Sequence, residues 1–147
     1  MLSLDTNILL PAVHEESSLH HSAAMFLTSL HERDDVGISE FILLELYGLL
    51  RNPSVVGKPL SAPKAAEVCE AFRSHPHWQT IGFPPDSRAF HDRLWTGLRE
   101  KGIARRRAYD LRTALALLRS GVTEFATVNT KDFVGVGFAR VWNPFAD

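Results

Sequence analysis

With one cysteine, Cys69, the chain has no partner for an internal disulfide, so covalent cross-links play no part in its fold. Cys/His pairs at zinc-ligand spacing are missing too, and the seven histidines (14, 20, 21, 31, 75, 77, 91) read as scattered surface residues. The apolar runs are too short to span a bilayer, and the first residues carry neither the basic segment nor the long apolar stretch of a secretory leader. That combination predicts a cytoplasmic location. Internal repeats and low-complexity tracts are also lacking. What remains, 147 residues with 45% hydrophobic content, fits one domain spanning 1–147 around a single core.

Net charge is nearly absent, at −1, but its distribution is uneven. Residues 1–87 hold five Lys/Arg against eleven Asp/Glu, net −6, whereas residues 88–119 hold nine against three, net +6. Arg105, Arg106 and Arg107 are the densest part of the basic block, with Arg112 about one helical turn beyond. Such a run reads either as a solvated face paired with acids of neighbouring elements or as a strip that holds phosphates.

The chain is organised around Leu2 to Leu10, where a short apolar run reaches Asp5 and passes through Thr6 and Asn7 into more aliphatics. This reads as a strand turning directly into a helix, with Asp5 at the strand's carboxyl end. Asp5 there is either a helix cap or a ligand-binding carboxylate. Pro11 ends or bends that helix. A helix over 20–31, a short strand at 36–38 and a helix over 40–50 capped by Ser39 follow. The expectation continues with a loop over 52–60, a helix from Ser61 to Arg73, a strand at 78–83 and a helix over 87–101 ended by Gly102. A helix over 108–120 stopped by Gly121 and strands at 124–128 and 136–142 complete it. Alternating strands and helices predict an α/β fold with a mostly parallel sheet covered on both faces.

Three further acids have both plain and chemical readings. Glu45 lies among apolar residues on a stripe with Phe41, Ile42 and Leu49, with no Lys or Arg at helical spacing to pair with it. Asp110 falls in the first turn of its helix, where a carboxylate suits the helix dipole. Asp132 follows a strand end within a turn. Neighbouring first and later strands would bring all four acids into one pocket, where mutual repulsion calls for a hard cation such as Mg²⁺ or Mn²⁺.

Over essentially its whole length the chain resembles a PIN domain, in particular the VapC family of toxin ribonucleases. The matching motifs are Leu4-Asp5-Thr6-Asn7-Ile8-Leu9, Ile38-Ser39-Glu40 leading to Glu45-Leu46, Tyr109-Asp110-Leu111-Arg112-Thr113-Ala114, and Thr127-Val128-Asn129-Thr130-Lys131-Asp132-Phe133 with Trp142-Asn143-Pro144. The resemblance implies a toxin of a VapBC-type pair: a Mg²⁺-dependent endoribonuclease that cleaves RNA by metal-activated water, forms a homodimer and is inhibited by a VapB-like antitoxin. Carried over by position, Asp5 and Asp110 are the principal metal ligands and Glu45 the third acid. The family's commonest fourth acid falls at Asn129 here, so Asp132 is expected to substitute from along the loop. Thr6, Asn7 and Asn129 are expected to orient ligands or water, and Arg105, Arg106, Arg107 and Arg112 to hold RNA. A phosphatase of the haloacid-dehalogenase type would need an acid where Asn7 stands, and a receiver domain an acidic pair that is not visible. The remaining alternative is a catalytically weak PIN-like module that binds RNA or protein.

Overall fold

The computed structural model describes all residues, Met1–Asp147. Five strands, β1 (Leu2–Leu4), β2 (Val36–Ser39), β3 (Gln79–Ile81), β4 (Glu124–Ala126) and β5 (Arg140–Trp142), form one sheet in the order β3-β2-β1-β4-β5. Every pairing is parallel, where the sequence predicts a mostly parallel sheet. Seven helices connect them: α1 (Thr6–Val13), α2 (His20–Ser29), α3 (Glu40–Leu50), α4 (Ala62–Arg73), α5 (Ser87–Gly97), α6 (Arg107–Arg119) and α7 (Thr130–Phe133). The chain steps from β1 outward to β2 and β3, then returns past β1 to β4 and β5. Right-handed crossovers then place α1–α4 on one face and α5–α7 on the other. The reversal falls between β1 and β4, so the crevice of the sheet opens at the carboxyl ends of those two strands.

Local chemistry sets most of these boundaries. Ser39 Oγ accepts from the Phe41 N–H at 3.1 Å, and Ser61 Oγ accepts from the Lys64 N–H at 3.4 Å, with Pro63 in the first turn. Pro11 lies inside α1, which continues to Val13. At the end of α6, Gly121 takes φ +86, Val122 N–H reaches Leu117 O and Gly121 N–H reaches Leu118 O, both at 3.1 Å. This cap satisfies the last carbonyls and drops the chain straight into β4.

The core joins Leu2, Leu4 and Phe125 of the sheet to Ile8 and Leu9, Ile42 and Leu46, and Leu117, all essentially buried. Each such side chain contributes about 1.5–3 kcal/mol on leaving water. No helix is long and apolar enough to cross a membrane.

Several sequence expectations need correction. The strand expected at 78–83 keeps only Gln79–Ile81, because Trp78 leaves the ladder to pack on Phe72 and His75 and to donate from Nε1 to Leu30 O at 3.1 Å. The strand at 136–142 begins only at Arg140, since Gly135 and Gly137 have φ of +84 and +141. The strand at 124–128 stops at Ala126, α5 ends at Gly97 rather than Lys101, and the expected Asn129–Asp132 turn is the start of the short helix α7, with Asn129 at its N-cap. The histidines are not all scattered: His31 Nδ1 lies 3.1 Å from His75 Nε2, and His77 and Glu32 stand beside them.

Candidate active site

Register brings the first acid into place. Leu4 pairs with Ala126, and Asp5 N–H donates to Ala126 O at 2.9 Å, so Asp5 and Thr127 leave the adjacent ends of β1 and β4 side by side. Asp5 is indeed an N-cap: its Oδ1 accepts from Thr6 N–H at 2.7 Å. Its other oxygen, Oδ2, accepts from the Thr127 hydroxyl at 2.6 Å and from Asn7 Nδ2 at 3.1 Å. Asn7 Oδ1 takes the Val128 N–H at 3.1 Å, which turns the amide nitrogen toward Asp5. Thr127, fully buried, also accepts from the Asn129 N–H at 3.1 Å. Capping and site formation are thus one arrangement, since the donors that finish the helix also fix the carboxylate.

Glu45 and Asp110 approach from two helices. α3 turns Ile42, Leu43, Leu46 and Leu50 to the core, which leaves Phe41, Leu44 and Glu45 on the wall of a cleft of about 350 Å³. The expected Glu45 stripe with Ile42 is therefore wrong: Ile42 is buried, and Glu45 faces the opening, midway along its helix. Asp110, in the first turn of α6, lines the opposite wall with Arg106, Tyr109, Arg112 and Thr113.

The carboxyl groups hold their protons more tightly than usual. Burial raises Asp5 from 3.8 to about 6; the Thr127 hydroxyl and Thr6 N–H oppose the rise, and the charges of Glu45 and Asp110 add to it. Burial also raises Glu45, with Asp110 contributing, and raises Asp110, with Asp132 contributing. Arg106 and Arg112 moderate Glu45, and Arg106 and Arg107 moderate Asp110, without forming an ion pair with either. The carboxylate ion pairs of this chain use Glu16, Glu32, Asp35, Glu40, Glu67, Asp86, Asp92 and Glu124 instead. The Thr6 hydroxyl is buried and without a hydrogen-bond partner, though near enough to Glu45 to ease its charge. Clustered, unpaired carboxylates beside an orphaned hydroxyl are a donor set that suits a hard divalent cation. They are not closed around one point, since no group of three or more acid, His or Cys side chains is drawn to ligating distance.

The other expected site residues divide. Asp132 is exposed on α7, near enough to raise Asp110, while its main-chain carbonyl accepts from Arg107 Nη1. Asn129 caps α7 without a side-chain bond and lines a neighbouring cleft of about 380 Å³ with Asn7 and His14. Arg106 and Arg112 reach the acid cleft, and Arg112 lies 4.1 Å from the Phe41 ring centre and 5.5 Å from that of Tyr109. Arg105 and Arg106 are exposed, and Arg105, Arg106, Arg107 and Arg112 make none of the ion pairs, whereas Arg88 and Arg119 of the same basic block pair with Asp92 and Asp86. Thr127 is the residue that sequence reasoning passed over. Its only signal is a hydroxyl at the end of an apolar strand, and that becomes informative once β4 is known to lie beside β1.

An acid-lined crevice at the switch point of an all-parallel five-stranded sheet defines a PIN-like α/β protein. No family model matches the chain. It is 46% identical over 144 residues to Ribonuclease VapC24 of Mycobacterium tuberculosis, in both strain CDC 1551 / Oshkosh and strain ATCC 25618 / H37Rv, covering 98% of this chain and 97% of the relative. The chain belongs to the VapC ribonuclease family. Among solved structures its fold is similar to that of Mycobacterium tuberculosis VapC20, a sarcin-ricin loop cleaving toxin (TM-score 0.68, 19% identity, 94% of this chain and 96% of that one). It is also similar to a chain of FitAcB from Neisseria gonorrhoeae (TM-score 0.67, 22% identity, 100% of both) and of VapBC2 from Rickettsia felis bound to a promoter DNA fragment (TM-score 0.64, 21% identity, 97% of both).

Proposed function

We propose that this chain is the toxin of a VapBC-type pair and hydrolyses RNA phosphodiester bonds at the crevice between Asp5, Glu45 and Asp110. The observation that carries this reading is a set of three carboxyl groups, each raised by burial and by its acidic neighbours, that lack an ion-pair partner at the carboxyl edge of the sheet. Asp5 and Asp110 would hold a Mg²⁺ or Mn²⁺ ion, with Glu45 as third acid and Asp132 supporting from the rim. Bound there, the ion supplies Lewis acidity for an in-line displacement at phosphorus. The chain's own part is to fix Asp5 through Thr127 and Asn7, and to place Arg106 and Arg112 where phosphate charge enters. Asn129 acts through its backbone N–H on Thr127, and the buried Thr6 hydroxyl eases the charge of Glu45. Arg105 and Arg107 extend the basic strip beyond the cleft.

The partner follows from the same charges. An antitoxin side chain bearing a guanidinium or ammonium group would satisfy the acids and exclude metal and substrate together. Antitoxin complexes occur among the related folds, and the pair is assigned here by family. A cytoplasmic homodimer acting on cellular RNA is the setting we infer.

The test is cleavage of RNA by the purified chain, with Mg²⁺, with Mn²⁺ and with EDTA, beside Asp5→Asn and Asp110→Asn. Cleavage that needs the metal and disappears in both variants is the expected result. Undiminished cleavage in either variant would overturn the assignment. A folded chain that binds RNA without cutting it under any of these conditions would instead be the catalytically weak module.

A further inference from the structure

Beside the acid cleft lies a second one of about 430 Å³, walled by Phe41, Leu44, Phe83, Phe90, His91 and Arg112. Phe41, Leu44 and Arg112 line both. Phe83 follows the end of β3, at the same carboxyl edge of the sheet as Asp5 and Thr127. Its ring stacks on Phe41 with centres 4.5 Å apart and planes 19° apart, yet it is 60% exposed. Leu44, which lines both clefts, is 61% exposed, and Tyr109, which lines the acid cleft, is 64% exposed. So large an apolar surface left in water beside a charged crevice marks a contact surface.

We propose that this aromatic cleft seats one unpaired base of the RNA, stacked against Phe83, next to the phosphodiester held at the acid cleft. The proposal rests on the ribonuclease reading above and adds a binding subsite to it. Four features select a base over other occupants. The walls are flat rings, and unpaired bases stack on such rings whatever their sequence. The cleft shares Arg112 with the acid site, so a planar apolar group seated here is joined to the crevice past a cation, which matches the order base, sugar, phosphate along a strand. Arg112 makes no ion pair, leaving guanidinium donors that line both clefts free for a phosphate or a base edge. At the polar end, His91 Nδ1 lies 2.7 Å from Ser87 O and therefore carries the ring proton, which makes Nε2 an acceptor for a base N–H. A base inside a duplex could not present its face to Phe83, so the substrate class is single-stranded RNA or a loop.

The experiment compares the full chain with Phe83→Ala and Phe83→Trp, using a pool of single-stranded oligoribonucleotides of random sequence. Dissociation constants are measured in an Asp5→Asn background so that the RNA stays intact; cleavage and 5′-end sequencing are followed with Asp5 present. Phe83→Ala is expected to weaken binding about 5- to 150-fold, the range of a base–aromatic stack lost to alanine. It should also flatten the base preference at one position beside the cut and lower the melting temperature only by the few degrees that loss of the Phe41 stack accounts for. Phe83→Trp should restore both affinity and preference. Equal affinity and equal preference in Phe83→Ala would overturn the proposal. So would unchanged RNA binding with lost antitoxin inhibition, which would assign the cleft to the protein partner. Failure of the ribonuclease reading shows separately, as absence of cleavage by the unsubstituted chain, and the binding arm still decides the stacking.

Discussion

Asp5→Asn is expected to stabilise the metal-free chain at neutral pH while abolishing its cleavage. The folded state holds the Asp5 proton to about pH 6, whereas an ordinary carboxyl releases it at 3.8. A raised folded-state value contributes stability that is fully present below about pH 3.8 and lost as pH rises through about 6. Above about pH 7 the folded chain therefore carries a burden of about 3 kcal/mol relative to a neutral group at position 5. Asparagine returns part of that gain. Its amide nitrogen would stand where Oδ2 now accepts from Thr127 and Asn7, and one unmatched donor costs about 1–2 kcal/mol. A net gain of about 1–2 kcal/mol, or a Tm higher by about 2–8 °C, is expected near pH 8 for a chain of this size. The gain should shrink toward pH 4, where Asp5 is neutral already. Thermal unfolding in EDTA across this range, followed by circular dichroism, gives the comparison. Added Mg²⁺ should then raise the Tm of the unsubstituted chain more than that of the variant. An Asp5→Asn chain less stable at pH 8, or a difference indifferent to pH, would refute the account of the site as a store of uncompensated negative charge.

Thr127→Val keeps the shape of a fully buried side chain but removes the hydroxyl shared by Asp5 and the Asn129 N–H; it should cost about 1–3 kcal/mol in denaturant titration. Since that hydroxyl holds the Asp5 value down, the acid limb of the pH–rate profile should also move to higher pH in the valine variant. At the rim, Asp132→Asn should reduce cleavage more than Asn129→Ala, because Asp132 acts on Asp110 through its charge while the Asn129 side chain makes no bond. Asn129→Asp should lower the Mg²⁺ concentration that half-saturates cleavage, and a metal titration of initial rates would show it.

Much of this was legible from local chemistry. The strand running into Asp5, the Ser39 and Ser61 caps and the stop at Gly121 all depend on neighbours within a few residues, and the structure keeps them. Signals decided by distant partners are less legible. Trp78 and Phe83 look like strand residues by composition, but one is drawn to the end of α2 and the other stacks on α3, leaving three residues for the ladder. Val136 and Phe138 pack on the core from a loop turned by Gly135 and Gly137, so apolar content there signals burial without pairing. The histidine group and the role of Thr127 were hidden for the same reason: residues 31 and 75, or 5 and 127, become neighbours only through the sheet order.

The return of the chain past β1 also has a consequence in time. A ribosome releases Asp5 before Glu45 and Glu45 before Asp110, but β1 lacks its β4 neighbour until residues 124–126 are made, and Asp5 lacks its Thr127 donor until 122 residues after it. Unfinished chains thus hold scattered acids with no crevice to gather them. A cell making this protein is thus not exposed to a partly built nuclease, because the site closes only when β4 arrives beside β1.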